Sequence, residues 1–202
     1  MPDTQALIIF VKNPIPGKTK TRLAATVGND LALKMYGILT RWTADQAGKL
    51  QGVTVYVYYS NQTVENDEWS GQNFEKRVQQ GADLGARMEG AITQVFNEGH
   101  KKVIIIGTDC PGVTTGYIRE AFASLEKADV VLGPALDGGY TLLGMKNGPA
   151  QLFTGVEWST EQVAAQTIAL AEQSGLTVNQ LPALSDIDYV EDWYSYGWTL
   201  PT

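Results

Sequence analysis

The chain has 202 residues, with 15 Lys and Arg against 22 Asp and Glu, one His and one Cys, for a formal net charge of −7. A lone cysteine excludes a disulfide scaffold, a 44% hydrophobic fraction excludes disorder as the dominant state, and an excess of acid argues against a general nucleic-acid binder. At about 150 residues per domain, one domain over 1–202 is expected. The opening Met-Pro-Asp-Thr-Gln lacks a basic start followed by a long apolar stretch, and no segment approaches 18 apolar residues. A cytoplasmic protein with no membrane partner is the expectation, and unpaired Cys110 suits a reducing compartment.

Ala6–Val11 is a continuous apolar, β-branched run and predicts a strand buried on both faces. Pro14, Pro16 and Gly17 then force a loop. From Asp30 onward, Leu31, Met35, Ile38, Leu39 and Trp42 recur at helical spacing. Val53–Tyr59 predicts a second strand, and the polar stretch 60–75 reads as loop or short irregular elements. After Gly85 a helix carries Met88, Ala91, Ile92, Val95 and Phe96 on one face and stops at Gly99. Lys102–Ile106 is a third strand, Ile118, Phe122 and Leu125 mark a helix, and 129–133 is a fourth strand. Asp137-Gly138-Gly139 is a tight turn into a strand at Tyr140. Ser159-Thr160-Glu161 is expected to open a helix and 176–181 to form a last strand, and the acidic residues Glu191 and Asp192 read as a solvated turn or as the cap of a helix beginning at Val190. Alternating strands and helices predict a three-layer α/β/α domain with a mostly parallel sheet. Its ligand would sit at the carboxyl ends of strands, beyond Val11, Ile106 and Gly133.

Four cations, Lys12, Lys18, Lys20 and Arg22, fall within eleven positions of a chain that has only 15. With Gly17, Thr19 and Thr21 between them, the loop suits a polyphosphate: Arg22 offers a bidentate fork and the lysines point charges. An ordinary solvated loop is the alternative. Gly17-Lys18-Thr19 is not the end of a P-loop, because that pattern needs a glycine where Lys12 stands, and Pro14 and Pro16 interrupt the nest. Asp109 follows the third strand, where a divalent cation with oxygen ligands would compensate its desolvation, unless it serves as a turn or cap carboxylate. Asp186 and Asp188 share one face of an extended segment and offer further oxygen ligands. Cys110 has only His100 as a histidine base, at the opposite end of the same strand, so it reads as a packing residue. Gly81, Asp83, Gly85 and Arg87 gather at a helix start, where glycine permits close approach of a ligand.

Six segments taken together resemble one family: Pro16–Ala24, Gln80–Met88, Gly107–Pro111, Asp137–Tyr140, Trp158–Thr160 and Asp186–Asp188. These are the bacterial radical-SAM/selenodomain-associated transferases, similar in turn to the 2-phospholactate and molybdopterin guanylyltransferases. All resemble the glycosyltransferase-A, or nucleotide-diphospho-sugar transferase, superfamily. The resemblance implies that Lys18 and Arg22, with Lys20 in the same loop, hold nucleotide phosphates. It implies that Gly81, Asp83 and Gly85 border the base or substrate, and that Asp137 and Tyr140 face the acceptor. Asp109 would hold Mg²⁺ (or Mn²⁺) with Asp188 as partner. Glycosyltransferases commonly carry Asp-x-Asp at the metal position, whereas Asp109 stands alone between Thr108 and Cys110. The leading expectation is a Mg²⁺-dependent nucleotidyltransferase, moving a nucleotidyl group from a nucleoside triphosphate to a small acceptor with release of pyrophosphate. The alternatives are a glycosyltransferase using a nucleotide sugar on the same fold and a non-catalytic nucleotide-binding module.

Overall fold

The structure is a computed structural model that describes residues 4–148 and 151–202. Strand β1 (Gln5–Val11) is followed by helices α1 (Thr21–Val27) and α2 (Asn29–Ala47), then by β2 (Val53–Tyr59) and β3 (Glu75–Val78). Helix α3 (Leu84–Asn97) leads to β4 (Lys102–Ile106), α4 (Thr115–Ser124) and the hairpin of β5 (Val130–Pro134) and β6 (Tyr140–Lys146). Helix α5 (Val163–Gln173), β7 (Val178–Gln180) and α6 (Val190–Ser195) complete the order.

The seven strands form one sheet in the order β3-β2-β1-β4-β6-β5-β7. Only β6 runs antiparallel to its neighbours β4 and β5. The expected mostly parallel α/β/α architecture is what forms. Odd and even residues of the central strands enter different layers, as the two-residue strand period requires. Leu7, Ile9, Ile104 and Ile106 pack with Ile118, Phe122 and Leu125 of the α4 region. Ala6, Ile8, Val103 and Ile105 pack with Met88, Ile92 and Val95 of α3. A third cluster joins Leu23 of α1, Met35 and Leu39 of α2, Ile187, and Val190 and Trp193 of α6. Trp198 stacks edge-on against Trp193, 4.7 Å between centroids, so the aromatic C-terminal segment is largely packing surface.

Three local expectations change. Arg22 lies on helix α1, not in a loop, because Leu23 is fully buried in the third cluster and anchors a seven-residue helix with little periodicity of its own. The stretch 60–74 is irregular as expected, but it runs into an additional parallel strand, β3, at the sheet edge, where Glu-Lys-Arg-Val gives no apolar run to betray it. Helix α5 starts at Val163 instead of Ser159. Ser159 takes φ +66, and Thr160 Oγ1 donates to the Glu157 carbonyl at 2.7 Å, so these residues form a turn before the helix.

Strand β1 is hydrogen-bonded to β2 on one side and β4 on the other; the connection after β1 runs outward to β2, and the one after β4 runs the opposite way along the sheet, to β5. That is the topological switch point at which open α/β sheets bind ligands. Among the described residues, no helix is long and apolar enough to cross a membrane.

Candidate active site

A cavity of about 750 Å³ opens at this switch point. Val11, Lys12 and Gly107–Cys110 line it from the ends of β1 and β4, Arg22 from α1, and Arg87 and Met88 from α3. Asp137, Tyr140, Trp158 and Asp186 close it from the C-terminal half. Arg22 and Asp109, 87 positions apart in the chain, therefore face one cleft.

The charged end is built around Lys20. Its Nζ donates to the Ile187 carbonyl at 2.6 Å and lies 3.1 Å from Asp109 Oδ2 and 3.5 Å from Asp188 Oδ1, with the side chain 6% exposed. Arg22 meets the other oxygen of Asp188 at 2.7 Å, yet its side chain is 65% exposed. Lys20 adopts φ +51, left-handed for a non-glycine residue, a conformation that costs on the order of 1 kcal/mol. Its three partners hold it there. The Ile187 amide donates to the Asp109 carbonyl at 2.9 Å, and the Ile187 side chain is fully buried. This link ties the acidic segment to the end of β4.

Asp186 and Asp188 do not act as a pair. Asp188 turns to Lys20 and Arg22, because its amide and that of Tyr189 are captured by Asp192 Oδ2 as the chain enters α6. Asp186 lines the cavity and its carboxylate makes no hydrogen bond among the described residues. Burial, then the charge of Asp109, pushes its carboxyl up to about 7. Two carboxylates in mutual repulsion at a solvent-reaching cavity, made of hard oxygen donors, suit Mg²⁺, which keeps several waters and takes one or two carboxylates beside substrate phosphates. Among the described residues no group of three His, Cys, Asp or Glu could hold a metal alone. A bound ion would thus depend on ligands supplied by the substrate.

The other expected residues fall in several places. Asp137 and Tyr140 line the cavity. Asp137 Oδ1 accepts from the Gly139 amide at 3.0 Å, which leaves its second oxygen available. Lys18 is exposed and outside the cavity lining. Asp83 is the N-cap of α3, accepting from the Ala86 amide at 2.8 Å. Gly85 is buried beneath Trp158, where a Cβ would come within 2.5 Å of the indole. Gly81 and Asp83 also stand outside the lining.

Two residues lacked a sequence signal. Tyr36, on α2, bonds both the amide and the carbonyl of Lys12, at 2.9 and 3.0 Å. It clamps the start of the basic loop, and burial raises its phenol. Gln79 spends its amide hydrogens on the Tyr58 and Val11 carbonyls, at 2.9 and 3.3 Å, joining the ends of β1, β2 and β3. Cys110 is buried, with Sγ 3.3 Å from the Ser185 carbonyl and its thiol pushed up to about 11 by burial, as suits a packing residue.

Comparison with known proteins places this geometry. Residues 43–160 match the family described as "Uncharacterized protein conserved in bacteria (DUF2064)". The chain belongs to that family. No curated protein matches this DUF2064 chain. A solved structure of a candidate nucleotide-diphospho-sugar transferase from Desulfovibrio desulfuricans G20 is 32% identical, with a TM-score of 0.86, covering 93% of this chain and 84% of that one. The 4-diphosphocytidyl-2C-methyl-D-erythritol synthase of Anaerococcus prevotii DSM 20548 shares the fold at 8% identity and a TM-score of 0.61, covering 96% and 97% of the two chains. A CMP:2-keto-3-deoxy-manno-octonic acid synthetase complexed with CTP shares it at 10% and 0.59, covering 95% and 96%.

Proposed function

We propose that this DUF2064 protein is a Mg²⁺-dependent nucleotidyltransferase. An oxygen of a small acceptor attacks the α-phosphorus of a nucleoside triphosphate, and the bond to pyrophosphate breaks. The observation that carries this reading is the convergence of Lys20, Arg22, Asp109 and Asp188 from three segments at the β1/β4 switch point, with Arg22 and Asp109 lining the cleft and Lys20 and Asp188 braced directly behind them. Arg22 uses one guanidinium nitrogen on Asp188, and the rest of its fork is free for phosphate oxygens. Lys20 supplies a fixed charge near the same oxygens, a preorganised stabiliser of charge that builds on the phosphates. Lys18 would join only if the ligand drew its loop inward. Asp109 would hold the metal, with Asp188 or the cavity-lining carboxylate Asp186 as its partner. Mg²⁺ bound there would offset phosphate charge. The named transferases and synthetases that share the fold support a nucleotide substrate. The likeness of the motifs to the selenodomain-associated transferases, and through them to the guanylyltransferases, makes GTP the first donor to try.

A glycosyltransferase is the second reading. The candidate nucleotide-diphospho-sugar transferase that is 32% identical favours it, and Asp137 has a carboxylate oxygen free to act as base on an acceptor hydroxyl.

Thermal shift with nucleoside triphosphates and nucleotide sugars, with and without Mg²⁺, tests both, since a ligand of the native state raises its melting temperature. Metal-dependent stabilisation by a triphosphate and later pyrophosphate release support the first. Stabilisation by a nucleotide sugar and nucleoside diphosphate release support the second. Asp109→Asn is expected to abolish the Mg²⁺ response; a variant still responsive to magnesium removes Asp109 as a ligand.

A further inference from the structure

Arg87 has no part in the charged end described above. It enters the cavity from α3, which packs on one face of the sheet, whereas Arg22 enters from α1, which packs on α2. Arg87 is half-buried. Among the described residues its side chain makes one hydrogen bond, Nε donating to the Gly81 carbonyl at 3.1 Å, and no ion pair. The chain has 22 acidic residues, and both Arg22 and Arg77 pair with some of them. A partly desolvated guanidinium left without a carboxylate in so acidic a chain is a cation held for a ligand.

Its posture is built. Gly81 has φ +145, and a Cβ there would stand 2.7 Å from the Arg87 amide nitrogen. Only glycine lets the loop close on the first turn of α3 and bring its carbonyl to Nε. With Nε committed, the two terminal amino groups remain as a planar fork, the geometry that matches a carboxylate or phosphate. Leu84, 45% exposed, and Met88, Tyr140 and Trp158 line the same part of the chain's cavity surface. They offer a carbon skeleton apolar contact, while Asp137 and Glu161, also on the cavity, repel an anion from positions away from a cation.

We propose that Arg87 binds the acceptor, and that the acceptor is a small organic anion whose carboxylate or phosphate docks on this fork while its reacting oxygen points toward the Asp109 end. This rests on the transferase reading for the word acceptor; the anion site itself does not. Two anionic substrates would repel each other at a shared cation, and the separate placement of Arg22 and Arg87 gives each its own.

The test is isothermal titration of the full chain with inorganic phosphate, and with acetate as the carboxylate probe. It is done in Arg22→Gln protein, which silences the other end, and in wild type saturated with GTP and Mg²⁺. Arg87→Gln is expected to weaken phosphate or acetate binding at least tenfold in both backgrounds, to leave GTP affinity within twofold, and to be partly rescued by Arg87→Lys. The relative strength of the two probes assigns phosphate or carboxylate. Unchanged probe binding in Arg87→Gln overturns the proposal, as does a parallel loss of GTP affinity, which would give Arg87 to the nucleotide. If GTP fails to bind at all, the guanylyl donor falls and another triphosphate or nucleotide sugar takes its place in the screen, and the Arg22→Gln titration still decides the anion site.

Discussion

Arg22 and Arg77 are both arginines tied to carboxylates, yet they do opposite jobs. Arg77 sits at the sheet edge with its side chain 18% exposed, bridging Glu75 at 2.8 Å and Glu98 at 2.6 Å. Its guanidinium lies 4.3 Å over the Tyr56 ring, and its bonds hold the Glu98 carboxyl below the usual carboxylate range. Both terminal nitrogens and one face of the guanidinium plane are spent inside the fold, so nothing is left for a ligand. Arg22 has a single partner and a largely exposed fork at the mouth of a cavity. A salt bridge therefore says little about function until the unspent donors are counted.

The largest effect is expected at the open arginine. Arg22→Ala should lower turnover by about 10²–10³-fold, the usual scale for losing one preorganised charge stabiliser, and weaken triphosphate binding far more than nucleoside binding. Melting temperature should hardly move, because exposed ion pairs contribute little. Equal losses for nucleoside and triphosphate would put Arg22 in the same structural class as Arg77.

Next comes the closed one. Arg77→Ala should cost about 2 kcal/mol in urea unfolding, from stranded carboxylates and a lost cation–π contact, with triphosphate affinity unchanged. A nucleotide-binding defect in a folded Arg77→Ala protein would erase the distinction.

The smallest effect concerns Asp186. Burial raises its folded carboxyl to about 7, well above the ordinary aspartate range of about 4, so between these values the folded chain keeps a proton that the unfolded chain has released. Metal-free protein should lose stability as pH rises from about 4 to 7 and level off above. Asp186→Asn should flatten that slope and gain about 1 kcal/mol at pH 8, read from urea midpoints at several pH values in chelator. A wild-type curve rising over this range would contradict the assigned environment.

Much of the fold was legible because its signals are local. The β-branched runs at Ala6–Val11, Val53–Tyr59 and Lys102–Ile106 are strands whatever surrounds them, and the α2 and α3 periodicities hold over several turns. Strand β3 and helix α1 were not legible. Glu75–Val78 is a strand because the β2 edge accepts it, and Thr21–Val27 is a helix because Leu23 finds a pocket among Met35, Ile187 and Trp193. The site divides the same way. The basic loop and the isolated Asp109 stood out by residue type, whereas extended-chain alternation put Asp186 and Asp188 on one face. The capture of the Asp188 and Tyr189 amides by Asp192 sends the two carboxylates to different partners.

The sequence alone determined the alternation of strands and helices, the edge at which a ligand would bind and the kinds of side chain gathered there, since short-range patterning encodes all three. Only the tertiary structure decided which lysine is the inner one, which aspartate faces the cavity and which arginine keeps a free fork. Those outcomes depend on how residues more than a hundred positions apart satisfy one another's charges and hydrogen bonds, and chain spacing carries no record of that.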